Sequence, residues 1–102
     1  MSVTLFIDTS AINTARVRLA VEDTSFEKVS ESKKLKSQMV LPLIEDILRE
    51  HQLKLTDITA IEVATGPGSF TGLRVGASVA NALGYLLNIP VNGKKGLVNP
   101  TY

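Results

Sequence analysis

The chain contains no cysteine and only one histidine among its 102 residues. Without cysteine it can form neither a disulfide framework nor a zinc–thiolate site, and this absence fits a reducing compartment. Its net charge of +1 gives no polybasic field, so any nucleic-acid contact would have to be local or made by a partner. No apolar run approaches membrane-spanning length, and the first eight residues lack the pattern of a signal peptide. We therefore expect a cytoplasmic protein without a membrane segment.

The composition is that of an ordinary globular domain. Apolar residues make up 44% of the chain and charged residues 21%, which argues against disorder. A chain of this length forms one small domain, which we assign to residues 1–102.

The hydrophobic pattern predicts the element order β-β-β-α-β-α-β. Apolar runs and alternating stretches indicate strands, the first of them a central strand buried on both faces, and apolar residues at helical spacing indicate helices. The predicted strands are residues 3–7, 16–22, 26–32, 58–63 and 88–91, the first helix contains Val40 and Ile44, and the second helix covers residues 73–87. An antiparallel meander that leads into parallel strands predicts an α/β fold, a ribonuclease-H-like lobe with a five-stranded mixed sheet and two main helices.

The segment Ala64–Arg74 joins the fourth strand to the second helix and is rich in glycine. Gly66, Gly68 and Ser69 can form a turn whose N–H groups converge at a helix N-terminus, where the helix dipole favours an anion. The segment is not a Walker A loop, and a tight strand-to-helix turn needs glycine whether or not it binds a ligand. From the residues alone we favour a structural turn over a phosphate-binding loop.

Small residues recur every four positions in the second helix. They are Gly72, Gly76, Ala80 and Gly84, which share one face of the helix. An interior glycine costs about 1 kcal/mol relative to alanine, so another surface is expected to pack closely here. Two interpretations stay open: close packing on the domain's own sheet or first helix, or an interface with another subunit.

Three segments together resemble the bacterial TsaB (YeaZ) family. They are Ile7-Asp8-Thr9-Ser10 after the first strand, Leu41-Pro42-Leu43-Ile44 in the first helix, and GPGSFTGLRVG at residues 66–76. The last segment is highly specific, and all three occur in the order that the family shows. The resemblance spans essentially the whole chain but only the amino-terminal lobe of the family, which implies that the second lobe is absent from residues 1–102.

The resemblance implies an actin-like and Hsp70-like lobe with a role in making N6-threonylcarbamoyladenosine (t6A) in tRNA. In that system a TsaD-like protein transfers the threonylcarbamoyl group, the TsaB protein is a non-catalytic scaffold and partner, and a TsaE-like ATPase joins the complex. Contact with tRNA is expected only through the complex, and no cofactor is implied. Family members also form homodimers through the helices of this lobe. The resemblance therefore assigns the interface to Val40, Ile44, Gly72, Gly76, Ala80 and Gly84.

One alternative function is that of a glycoprotease-like metallopeptidase homologue. TsaD-type relatives carry a His-x-x-x-His metal pair after the second helix, but residues 91–97 of this chain contain no histidine. The single histidine, His51, lies near the predicted end of the first helix, where a structural or solvated role is more common than metal binding. A hydrolase needs a metal or an activated nucleophile, so we predict no metal site and no catalytic residue.

The other alternative is half of a nucleotide-binding clamp. Polar groups emerge where the first strand ends, next to the predicted turn before the second helix. In this superfamily the nucleotide is held between two lobes, so one lobe offers only a weak half-site without its second wall. The half-site residues would be Asp8, Thr9, Ser10, Gly66, Gly68 and Ser69.

Overall fold

Four strands form one mixed sheet, and two helices pack against one of its faces. The structure, a computed structural model, describes residues 1–31 and 36–95. The strands are β1 (Val3–Asp8), β2 (Thr14–Val21), β3 (Thr24–Glu31) and β4 (Ala60–Val63), and the helices are α1 (Lys36–Glu50) and α2 (Phe70–Leu87). A short 3₁₀ turn at Leu55–Asp57 precedes β4.

Strand β1 lies inside the sheet, whose order is β3-β2-β1-β4. It pairs antiparallel with β2 and parallel with β4, as the predicted meander and crossover require. Val3, Leu5 and Ile7 are fully buried, whereas the alternate residues of β1 are half-buried. The prediction that this strand is buried on both faces was therefore wrong. Successive side chains of a strand point to opposite faces, and the helices cover only one of these.

Both helices turn an apolar stripe toward this covered face. Val40, Ile44 and Ile47 of α1 are at most 1% exposed and belong to the core, which confirms the predicted stripe. Burying one such side chain contributes about 1.5–3 kcal/mol relative to leaving it exposed. Helix α1 packs on β2 and β3, and α2 packs on β1 and β4. The two helices also touch each other, so they form one layer.

Among the described residues the sheet has four strands, and the prediction of five requires correction. Val91, in the expected fifth strand, forms only isolated bridges, a parallel one with Ile61 and an antiparallel one with Lys94. The side-chain amide of Asn92 then accepts a hydrogen bond from the Val63 N–H (2.8 Å) and donates one to the Val63 carbonyl (3.1 Å). A longer strand would need these same backbone groups, so the ladder ends at Asn92. The pairing of the predicted fifth strand therefore ends at this point. Residues 96–102 lie outside the part of the chain that the structure describes.

Strand β2 and helix α2 begin earlier than the pattern predicted. Strand β2 begins at Thr14, because Asn13 already completes the preceding turn with a φ of 57°. Helix α2 begins at Phe70, because the Ser69 side chain accepts a hydrogen bond from the Gly72 N–H and acts as the N-cap.

Candidate functional site

The loop after β1 and the loop before α2 meet at the carboxyl ends of the parallel strands β1 and β4. The Ser69 N–H donates to the Ser10 carbonyl at 2.9 Å. A Cβ added to Gly68 would lie only 2.7 Å from Ser10 Cβ and 2.9 Å from the Ser10 carbonyl oxygen. Gly68 is therefore required for the two loops to approach this closely. The structure thus brings Ser10, Gly68 and Ser69 of the predicted half-site together.

Asp8 joins this cluster through Ser10. Its carboxylate oxygen Oδ1 accepts hydrogen bonds from the Ser10 N–H (2.9 Å) and the Ser10 Oγ (2.6 Å). Asp8 is half-buried at the end of β1, so its carboxylate stays in contact with solvent. Gly66 lies at the start of the second loop with a φ of 129°, a backbone conformation that favours glycine.

Thr9 is placed differently from its two neighbours. It is 1% exposed, and its hydroxyl donates to the Gly72 carbonyl in the first turn of α2. Its position inside the core means that it ties β1 to α2 and presents no side chain to a ligand. The N–H groups of Ser69 and Gly72 are likewise bonded within the chain. These contacts favour the structural turn that the residues alone suggested.

The small-residue face of α2 packs on this chain's own sheet. A Cβ at Gly76 would lie 2.5 Å from Thr9 Oγ1 and 3.4 Å from Val63 Cγ2. A Cβ at Gly84 would lie 2.4 Å from Val91 Cγ2. Of the two interpretations of this face, the structure supports close packing inside the domain.

This packing corrects the interface residues that the sequence assigned. A residue buried inside its own chain has no surface left for a partner. All six assigned residues are buried: Val40, Ile44, Gly72, Gly76, Ala80 and Gly84. Helical spacing showed correctly that the small residues share a face, but it could not show what that face packs against.

The opposite side of the helices exposes large apolar side chains. We call this surface the outer helical face and define it by Leu41 of α1 with Phe70, Val79 and Leu86 of α2. Leu41, Phe70 and Leu86 are 46%, 55% and 75% exposed. The face contains a shallow groove with mainly apolar lining: Leu41, Ser78, Val79, Ala82, Leu83 and Leu86. A second groove continues it along α2: Phe70, Thr71, Arg74, Val75, Ser78 and Val79.

The composition of α2 could have predicted the outer helical face, although the hydrophobic pattern alone did not. Helix α2 has 18 residues, of which Arg74 alone is charged. A surface helix normally carries polar and charged residues on its solvent side, so this composition indicates an apolar surface on both sides. Contiguous exposed apolar surface of this kind is typical of an interaction site.

His51, the only histidine, has a structural contact. Its ring stacks on Phe26 of β3 with the ring centroids 3.7 Å apart. Among the described residues no group of three His, Cys, Asp or Glu side chains lies close enough to hold a metal ion. Neither helix in the described part of the chain is both long and apolar enough to cross a bilayer.

Comparisons with known proteins agree on one family. A family model described as TsaD, tRNA N6-adenosine threonylcarbamoyltransferase, matches residues 29–95. The tRNA threonylcarbamoyladenosine biosynthesis protein TsaB of Bacillus subtilis (strain 168) is 36% identical over 94 residues. The protein of the same name from Escherichia coli (strain K12) is 40% identical over 62 residues. These alignments cover 91% and 61% of this chain, but 41% and 27% of the two relatives.

A solved structure has the same fold. YeaZ from Pseudomonas aeruginosa superposes with a TM-score of 0.83 at 34% sequence identity. The superposition covers 89% of this chain and 42% of YeaZ. The chain therefore spans about two fifths of the length of YeaZ and of the Bacillus subtilis relative.

Proposed function

Because this chain belongs to the family of TsaD and TsaB (YeaZ) proteins, we propose that it is a non-catalytic partner subunit in t6A biosynthesis. In this proposal it binds a TsaD-type protein in the cytoplasm and self-associates when that partner is absent. The TsaE-like ATPase joins through the complex, and tRNA is contacted only by way of the partner. The chain acts as the amino-terminal, ribonuclease-H-like lobe of a two-lobed actin-like protein.

The observation that carries the proposal is the outer helical face. Leu41, Phe70 and Leu86 are exposed on neighbouring helices that are otherwise well packed, and Arg74 is the only charge on α2. Covering large apolar side chains with a partner removes them from water, which is the main driving force of most protein association. Aromatic residues and arginine are also the types that dominate binding energy at interfaces. We therefore place the partner on this face and not on the buried small-residue face.

A binding measurement with the TsaD-type protein of the same genome tests the proposal. We expect Leu86→Asp to weaken the complex about 10-fold or more, because a carboxylate would lose its hydration in the interface. Val29→Asp is the matched control, since Val29 is 43% exposed on β3, which is not part of the helical layer. Circular dichroism verifies that both variants fold. Absence of binding by the wild-type chain, or equal affinity of Leu86→Asp and wild type, would contradict the proposal.

A second candidate function is half of a nucleotide clamp. It is favoured by the convergence of Asp8, Ser10 and Gly68 at the carboxyl ends of β1 and β4. Ligands of open α/β sheets bind at this edge. In this candidate function the Asp8 carboxylate, whose Oδ1 already accepts hydrogen bonds from Ser10, and the Ser10 hydroxyl face the ligand. Thr9 and Gly66 hold the surrounding loops.

A further inference from the structure

A tight turn follows Val91 and contains Asn92 and Gly93, the only Asn-Gly pair in the sequence. Across the turn the Val91 N–H donates to the Lys94 carbonyl (2.8 Å), and the Lys94 N–H donates to the Val91 carbonyl (3.1 Å). Both central residues have a positive φ, 52° at Asn92 and 78° at Gly93, as a type I′ turn requires. Asn-Gly is a pair that this turn favours, so the local sequence specifies the turn.

Asn-Gly is also the pair that is most prone to deamidation. Asparagine is thermolabile, and a glycine after it has no Cβ to hinder attack by its backbone nitrogen on the asparagine Cγ. In this attack a bond forms between the Gly93 nitrogen and Asn92 Cγ, and the Cγ–Nδ2 bond breaks. The proton of the Gly93 N–H leaves with Nδ2 as ammonia. Water then opens the cyclic imide to aspartate or isoaspartate. Gly93 is exposed, and a Cβ added to it would meet nothing within 4 Å.

The amide of Asn92 makes a pairing that a carboxylate cannot make. Its Oδ1 accepts a hydrogen bond from the Val63 N–H (2.8 Å), and its Nδ2 donates one to the Val63 carbonyl (3.1 Å). An ionised carboxyl group accepts hydrogen bonds and donates none. After deamidation the Val63 carbonyl would therefore lose its donor and face a second oxygen, which opposes the pairing.

We propose that Asn92 is a deamidation site and that its pairing with Val63 controls the reaction. In the folded chain both polar groups of the amide are held by Val63, so the reaction proceeds when this pairing opens. The product cannot re-form the pairing, so the turn after Val91 loses its side-chain attachment to β4 irreversibly. This inference is independent of the proposed function, because it concerns neither the outer helical face nor the cluster around Asp8.

Peptide mapping by mass spectrometry of the wild-type chain tests the site. The chain is incubated in mildly alkaline buffer, with and without urea. Asn88 is the internal control, because it is also exposed with a positive φ (54°) but is followed by Ile89, whose branched Cβ hinders the attack. In urea we expect Asn92 to convert about 10-fold faster than Asn88 or more. Without urea we expect Asn92 to convert about 10-fold more slowly than in urea, because the pairing must first open.

The two comparisons fail separately. If Asn92 converts no faster than Asn88 in urea, it is not a deamidation site. If Asn92 converts as fast in the folded chain as in urea, the pairing with Val63 does not control the reaction.

The variant Asn92→Asp tests what the modification does to the fold. We expect it to lower the midpoint of urea denaturation at pH 7. Below about pH 4, near the ordinary pKa of aspartate, the difference from wild type should largely disappear. A protonated carboxyl group again offers one donor and one acceptor to Val63, so the variant regains stability as the pH falls.

Asn13→Asp is the matched control. Asn13 is exposed, has a φ of 57° and makes no side-chain hydrogen bond among the described residues. The same change there should leave the midpoint near that of wild type at both pH values. An Asn92→Asp variant as stable as wild type at pH 7, or a loss that persists unchanged in acid, would overturn the role given to the amide.

Discussion

At the scale of single residues, the contact between Gly76 and Thr9 joins helix α2 to the end of strand β1. Thr9 is the only buried polar residue in the described part of the chain, and its hydroxyl is bonded to the Gly72 carbonyl. Because Thr9 is branched at Cβ and held by this bond, its side chain cannot simply rotate away from α2. The space between Gly76 and Thr9 accommodates a hydrogen atom but no methyl group.

We expect Gly76→Ala to lower the free energy of unfolding by about 1–3 kcal/mol. The added methyl group would have to displace Thr9 Oγ1, and this overpacking outweighs the helix propensity of alanine, which is worth about 1 kcal/mol. Urea denaturation measures the change. Ser78→Ala, two positions along the same helix and exposed, should stay within about 0.5 kcal/mol of wild type. A Gly76→Ala variant as stable as wild type would show that α2 is not held this closely to Thr9.

At the scale of elements, the end of α1 is attached to the edge strand β3 by two contacts. The His51 ring stacks on Phe26, and Lys28 Nζ forms an ion pair with Glu50 Oε2. The hydrogen bond from Lys28, more than the other nearby cations, lowers the pKa of the Glu50 carboxyl from its ordinary value of 4.5. A carboxyl whose pKa is lower in the folded state stabilises that state above the ordinary pKa. The contribution disappears as the pH falls through the lowered value.

We therefore expect Lys28→Met to destabilise the chain slightly at pH 7 and to have no effect at an acidic pH below the lowered pKa of Glu50, where that carboxyl is protonated. The effect is small because Glu50 is exposed and water screens the pair. Urea denaturation of wild type and variant at both pH values measures the difference. Lys94→Met, at an exposed lysine without an ion pair among the described residues, controls for the loss of one positive charge. A difference that grows on acidification would contradict this origin.

At the scale of the whole molecule, the two candidate surfaces differ in how complete they are. The outer helical face spans α1 and α2 and is ready to be covered by a second protein. The cluster around Asp8 and Ser10 is one wall at the edge of the sheet, and small-molecule sites usually enclose most of their ligand. The molecule as a whole is therefore better suited to binding a protein than to binding a nucleotide.

For this reason we expect ATP to bind the isolated chain with a dissociation constant above about 1 mM. Isothermal titration calorimetry in the presence of Mg²⁺ measures the affinity. Asp8→Asn serves as the comparison, because it removes the charge at the strand end and keeps the shape. Micromolar binding with a stoichiometry of one that Asp8→Asn abolishes would favour the nucleotide clamp over the partner subunit.

The local parts of the fold could be predicted because neighbouring residues specify them. The α1 stripe through Val40 and Ile44 and the glycine-rich turn before α2 each depend on residues within a few positions of one another. The fifth strand could not be predicted in this way. A regular fifth strand does not form because the Asn92 side chain hydrogen-bonds to the backbone of Val63, which is 29 positions away in the sequence.

The sequence by itself determined the order of the first four strands and the two helices, the turn before α2 and the family of the chain, because these reside in spacing and in a contiguous motif. Only the tertiary structure decided which side of α2 faces the sheet. Gly72, Gly76, Ala80 and Gly84 are suited to close approach in either direction. The direction depends on Thr9, which follows β1 far away in the sequence, and on Val91, which follows α2. Once the small side is buried against them, helical geometry leaves Phe70, Arg74 and Leu86 on the outside.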